Sequence, residues 1–140
     1  MTAVGFKTIA LPLAQLSLDA VLKCGQSFRW NAYDLPTEPN NETNATKEYR
    51  LTLADRVVCL RQTPSSLFYR TFVPGQVSQA SDAQEAETLV FIRDYFQLDV
   101  DLVSLYETWS LRDKVFHRTV RERFQGIRML RQDPWENLVS

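Results

Sequence analysis

Few residues in this chain have the types and spacing that chemistry needs. His117, the only histidine, lies in a helical stretch dense in arginine. A catalytic imidazole needs a nucleophile to activate and an acid to orient it, and the sequence around His117 offers neither. It reads as a solvated helix residue. Asp99 and Asp101 suit a helix start better than acid–base catalysis or magnesium binding. Cys24 and Cys59 show no metal-ligand spacing and no disulfide framework, so both read as free thiols of a reducing interior. Gly5, Gly25, Gly75 and Gly126 are scattered singly and build no phosphate-binding loop. Between positions 112 and 131, Arg112, Lys114, Arg118, Arg121, Arg123, Arg128 and Arg131 stand against Asp113 and Glu122. Their spread around the helix favours a solvated face with ion pairs over a phosphate-binding patch. What remains is Lys23-Cys24-Gly25-Gln26-Ser27-Phe28-Arg29-Trp30, a helix end, a glycine turn and the start of an aromatic strand.

The elements that must position this segment follow from periodicity. Ser17 to Cys24 reads as a short helix, capped by Ser17 or Asp19 and closed by Gly25, with Leu18, Val21 and Leu22 facing the core. Gln26 to Tyr33 reads as extended, with Phe28 and Trp30 on a core face and Arg29 opposite. Residues 34–47 form a polar, insertion-like loop. Tyr49–Ala54, Arg56–Gln62 and Leu67–Val73 read as strands, separated by turns at Asp55 and at Thr63-Pro64-Ser65-Ser66. With the Phe28 strand they predict an antiparallel sheet of about four strands, one face wet.

The period then changes to helical. Ser81 and Gln84 match a capping box ahead of a helix with Leu89, Ile92 and Phe96 on one stripe. Asp101 caps a second helix with Leu102, Leu105, Tyr106 and Trp109 on one side. A third runs from about Leu111 to Phe124, using Phe116, Val120 and Phe124, and stops at Gly126. Strands followed by helices predict an α+β arrangement, a twisted antiparallel sheet with helices on one face. Asp133-Pro134 opens one more helix, which reaches the end of the sequence in under two turns. So short a helix needs something packed on it. Trp135, Leu138 and Val139 therefore point to a further helical domain, and the chain reads as a fragment.

The chain has 140 residues, enough for one domain with a core. It is 44% hydrophobic and 24% charged, the balance of a globular chain rather than a disordered one. Sixteen basic against seventeen acidic residues leave a net charge of -1, without bulk attraction to DNA or membrane. No apolar run is long enough to span a membrane. The N-terminal stretch lacks the basic-then-apolar order of a secretory signal. It is acid-free up to Asp19, a mitochondrial trait, yet Lys7 alone makes a poor transit peptide. The sequons at Asn41 and Asn44 read as chance in an Asn/Thr-rich loop.

Cys24-Gly25-Gln26-Ser27-Phe28-Arg29-Trp30 resembles the signature near the start of eukaryotic 8-oxoguanine DNA glycosylases. Leu18-Asp19-Ala20-Val21-Leu22, Ser78-Gln79-Ala80-Ser81 and Tyr95-Phe96-Gln97-Leu98-Asp99-Val100 resemble the same family in the same order. So does Phe124-Gln125-Gly126-Ile127-Arg128, running on to Leu130-Arg131-Gln132-Asp133-Pro134. The resemblance covers residues 18–134 and excludes the loop around 40–47. It implies an N-terminal domain over 1–125, similar to half of the TATA-binding protein fold. Residues 126–140 would then be the junction and first turns of a helix–hairpin–helix domain carrying the lysine nucleophile and catalytic aspartate.

The resemblance also implies an enzyme, an 8-oxoguanine DNA N-glycosylase with abasic-site lyase activity in base excision repair, of which this chain alone would be inactive. Gly25 matches the glycine whose carbonyl reads the lesion base, with Gln26, Ser27 and Phe28 as supporting residues. Implied partners are double-stranded DNA containing 8-oxoguanine and the helix–hairpin–helix domain, with no membrane, no cofactor and no metal. The implied compartment is the nucleus, with the mitochondrion left open. The alternative is a non-catalytic module that binds DNA or protein through the same sheet.

Overall fold

In a computed structural model the chain is described over residues 5–37 and 43–139. Along it run β1 (Lys7–Ala10), α1 (Leu18–Lys23), β2 (Asn31–Asp34), β3 (Lys47–Thr52), β4 (Val57–Thr63) and β5 (Ser66–Phe72). Then follow α2 (Asp82–Tyr95), α3 (Leu102–Arg112), α4 (Lys114–Arg123) and α5 (Pro134–Val139). The class is α+β, an open antiparallel sheet in the order β1-β5-β4-β3-β2 with five helices among the described residues. The chain divides into two compact units, Met1–Leu11 with Arg29–Phe91 and Pro12–Phe28 with Ile92–Ser140.

The first unit holds the sheet. Alternation in β3 works as expected: Tyr49 and Leu51 are buried while Arg50 and Thr52 are exposed. Tyr49 pairs with Leu60 and Leu51 with Val58, and these pair onward with Tyr69 and Thr71, so one face collects the apolar residues. Thr63 pairs with Ser66 around the two-residue Pro64-Ser65 turn, where proline presets the backbone. The sheet has five strands rather than four. The short β1 carries too little alternation to be read, and its pairing with β5 through Lys7 and Tyr69 is non-local.

β1 stops at that pair, which leaves the N–H of Thr71 at an edge. The buried Glu85 on α2 accepts from it (3.3 Å) and from the Thr71 hydroxyl (3.0 Å). The stripe of α2 toward the sheet is thus Glu85 and Thr88, polar residues that a search for apolar periodicity overlooks. The capping box forms in both directions: Ser81 N–H donates to Gln84 (2.8 Å) and Gln84 N–H to Ser81 Oγ (3.2 Å).

Two expectations in this unit need correction. The aromatic strand begins at Asn31, not Gln26: among the described residues β2 pairs with β3 from Asn31 with Arg50 to Asp34 with Lys47. The 34–47 loop is also shorter than expected. Leu35 N–H still donates to the Thr46 carbonyl (2.9 Å), and Thr43 and Ala45 are buried. Positions 38–42, with the first sequon, lie outside the described residues.

The second unit is helical. Ser17 caps α1 by accepting from Ala20 N–H, and Leu18, Val21 and Leu22 are buried as the spacing predicts. Leu16, Ile92, Tyr95, Phe96, Leu102 and Leu130 complete the core of this unit. Asp101 caps α3 by accepting from Ser104 N–H (3.3 Å). The third helix begins at Lys114, not Leu111. Asp113 both closes α3 through its N–H and opens α4 by accepting from Val115 and Phe116. Phe124, expected in the core, lies past the end of α4 and is exposed, as is Trp109. Trp109 packs instead edge-on against Phe116 (5.6 Å between centroids).

Candidate functional site

The turn after α1 has the geometry its residue types demand. Lys23 pairs with Asp19 one turn back (2.6 Å), and Cys24 ends the helix. Gly25 then adopts φ +86, a left-handed conformation that costs little only for glycine. It is exposed, and a Cβ placed there would meet nothing within 4 Å. Among the described residues its carbonyl accepts no hydrogen bond. The position therefore offers an open acceptor whose neighbours set where it points.

Those neighbours divide sharply. Gln26 Nε2 donates to the Arg128 carbonyl (2.8 Å), and its Oε1 accepts from Leu130 N–H (2.9 Å). Ser27 is buried and donates to Glu136 on α5 (3.2 Å). Phe28, expected in the core, is 77% exposed, and Trp30 is only half-buried. Residue 28 precedes β2, so the alternation that placed Phe28 inside does not operate there. The turn thus presents an exposed glycine and an exposed aromatic ring, with two polar side chains fastening it from below.

Arg128, expected among the cations of a solvated helix face, is not on that face. It lies beyond α4 and is buried, donating to the Gln15 carbonyl, to Gln15 Oε1 (2.8 Å) and to the Gln97 carbonyl (2.8 Å). Burial lowers its pKa from the usual guanidinium value, an effect partly opposed by Asp101. Gln15 in turn donates to Asp101 (2.7 Å) and accepts from Leu102 N–H (3.0 Å). Asp101 is held down to about 2, first by Ser104 and then by Gln15. One signal could have revealed this: Arg128 follows the glycine that should stop α4, so it never belonged to the helix face.

Gly126 supplies the close approach on which this cluster depends. Its φ is +72, and an added Cβ would stand 2.2 Å from the Leu13 carbonyl and 2.6 Å from Ser17 N. Its own carbonyl accepts from Ser17 N–H (2.8 Å). α1, which carries the Gly25 turn, is therefore seated on Gly126 and Arg128 through the residues just before it.

The other candidates stay apart. His117 is exposed on α4, and Cys24 and Cys59 are free thiols, one exposed and one buried. Among the described residues, no three His, Cys, Asp or Glu side chains gather as metal ligands, and no helix is long and apolar enough to cross a membrane.

An α+β domain with an open antiparallel sheet and an exposed glycine turn held by polar clamps is the class these observations define. Residues 8–138 match the family model described as "8-oxoguanine DNA glycosylase, N-terminal domain". The chain belongs to that family. It is similar to the N-glycosylase/DNA lyase of Saccharomyces cerevisiae, 33% identical over 136 residues, covering 96% of this chain and 33% of the yeast protein. It is also similar to the N-glycosylase/DNA lyase OGG1 of Arabidopsis thaliana, 28% identical over 132 residues, covering 94% of this chain and 31% of that protein. Among solved structures, a complex of MBOgg1 with a low-affinity DNA ligand matches with a TM-score of 0.63. That match is 26% identical and covers 96% of this chain and 40% of the other. The chain spans about a third of the length of the curated relatives it matches.

Proposed function

We propose that this chain is the lesion-recognition part of an 8-oxoguanine DNA glycosylase with abasic-site lyase activity, acting in base excision repair of oxidised purines. The observation that carries the reading is Gly25: an exposed residue at φ +86, with open space above it and a carbonyl free to accept. Unmodified guanine presents N7 as an acceptor. The oxidised base carries a hydrogen there instead. A fixed carbonyl bonds that hydrogen but meets a lone pair in guanine, and an unmet desolvated acceptor costs roughly 1–3 kcal/mol. The target base must leave the duplex to reach such a turn. Double-stranded DNA containing 8-oxoguanine is therefore the partner, and the nucleus is the compartment, with a mitochondrial pool left open.

In this reading Gln26 and Ser27 support the turn from beneath, while the exposed ring of Phe28 borders the base. The lysine nucleophile and catalytic aspartate belong to a helix–hairpin–helix domain, in the two thirds of the relatives that this chain does not span. Residues 126–140 form the junction to it. Trp135, Leu138 and Val139 on α5 are 70%, 75% and 63% exposed, which supports a covering partner there.

Borohydride trapping tests the assignment. The purified chain, incubated with an 8-oxoguanine duplex and reductant, should form no covalent adduct. A chimera in which the chain replaces the matching segment of the yeast relative should form one. An adduct on the chain alone would overturn the division of labour; a well-folded chimera that fails to excise 8-oxoguanine would overturn the function.

A further inference from the structure

We infer that Gln26 is the residue that positions Gly25, and that it does so by standing in for a missing strand. This inference rests on the lesion-reading assignment of Gly25. A residue in a parallel β-bridge donates through its N–H to the carbonyl of one residue and accepts, at its C=O, from the N–H two positions further on. The side-chain amide of Gln26 makes that pair of bonds, donating to the carbonyl of residue 128 (2.8 Å) and accepting from the N–H of residue 130 (2.9 Å). The segment between Gly126 and α5 is not a strand, so these backbone groups have no sheet partner of their own.

The clamp matters because packing does not hold Gly25. Nothing lies within 4 Å of its Cβ direction, and glycine has the widest choice of backbone angles. On its N-terminal side the turn is fixed by α1. On its C-terminal side the first side chain with partners is Gln26, whose Nε2 also reaches Cys24 Sγ (3.3 Å), closing a ring around Gly25 itself. The far end of the clamp is rigid, because Arg128 is buried on Gln15 and Gln97 and Leu130 is a core residue. Gln26 thus transmits the position of that buried segment to the one exposed carbonyl. A carboxylate, a shorter amide or an apolar chain of equal length cannot make both bonds.

The test uses the chimera described above, with Gly25→Ala, Gln26→Met and the double substitution. Two rates are measured for each protein: excision of 8-oxoguanine, and strand cleavage at a preformed abasic site, which offers no base to read. Gln26→Met should lower the ratio of excision to abasic cleavage about thirtyfold, the loss expected from two hydrogen bonds of ordinary net strength. It should also lower the preference for 8-oxoguanine over guanine. In the double substitution the Gln26→Met loss should be largely absorbed, since Gln26 acts through the Gly25 carbonyl. Two results would overturn the inference: an unchanged ratio, whether or not both rates fall together, or full additivity of the two losses. Failure of the unsubstituted chimera to excise 8-oxoguanine would instead sink the functional reading beneath it.

Discussion

Gly25 and Gly126 share a positive φ yet should respond to alanine in opposite ways. At Gly25 the added methyl meets nothing, so the cost to folding is the left-handed backbone, about 1–2 kcal/mol. In the chimera, excision should fall by more than that loss of stability accounts for. Equal losses in melting temperature and rate would refute the assignment. At Gly126 the methyl would stand 2.2 Å from a backbone oxygen that cannot swing aside, so Gly126→Ala should cost about 3 kcal/mol or more. Urea denaturation of the two variants gives the comparison directly. Arg128 belongs to the same scale. Arg128→Met strands acceptors on Gln15 and Gln97 and should lose about 2–4 kcal/mol. Arg128→Lys should recover little of it, because an ammonium lacks the planar fork that reaches separate acceptors.

Among the elements, β3 carries the least expected burden. Glu48 is fully buried on the face opposite Tyr49 and Leu51 and is held by Arg50 and by Arg61 (2.7 Å). Burial pushes its pKa up, but hydrogen bonds and charge from the two arginines outweigh this, and the net shift is downward. A depressed carboxylate stabilises the fold above its ordinary titration range and loses that contribution as the pH falls through the lower folded value. Glu48→Gln should therefore cost about 1–3 kcal/mol at neutral pH, moderated because Arg50 is partly exposed and can rehydrate. The difference from the unsubstituted chain should shrink as the pH drops below about 4, an expectation that thermal melts across pH 2–7 check. In α2, Ser81→Ala removes one half of a reciprocal cap and should cost about 1 kcal/mol. A fall in helix content confined to the first turn, seen by amide exchange, would locate it.

At the scale of the molecule, the exposed apolar residues of α5 set the expectation. Six residues of helix, held by Asp133 accepting from Trp135 N–H (2.9 Å) and by the Ser27 hydroxyl on Glu136 (3.2 Å), bury no apolar side chain and are too short to be stable by themselves. In the isolated chain the α5 amides should exchange within seconds, and in the chimera they should be protected. Protection in the isolated chain would mean that α5 needs no partner. The near-balance of charge, sixteen basic to seventeen acidic residues, is no obstacle to a DNA-directed role. In the proposed function the Gly25 turn supplies discrimination, whereas affinity for a duplex comes from phosphate contacts that a partner domain can hold.

Local pattern was enough to read the α+β class, α1 with its cap, the β3–β4–β5 meander, the capping box at Ser81 and the cap at Asp101. In each case the signal spans a few neighbouring residues and reports a backbone preference. The ordered segments from residue 18 to 134 were also enough to point to the family. What the sequence could not show was decided by contacts between distant positions. β1 exists because β5 offers it an edge. Glu48 and Glu85 look like surface charges in any window, and the position of Arg128 after Gly126 shows only that it lies off the helix; tertiary structure supplies the partners that let all three be buried. Phe28 looked like core because alternation was extended one element too far. The Gln26 clamp joins residues about a hundred positions apart, so its two hydrogen bonds are a property of the folded chain, although the glutamine that makes them was in plain sight.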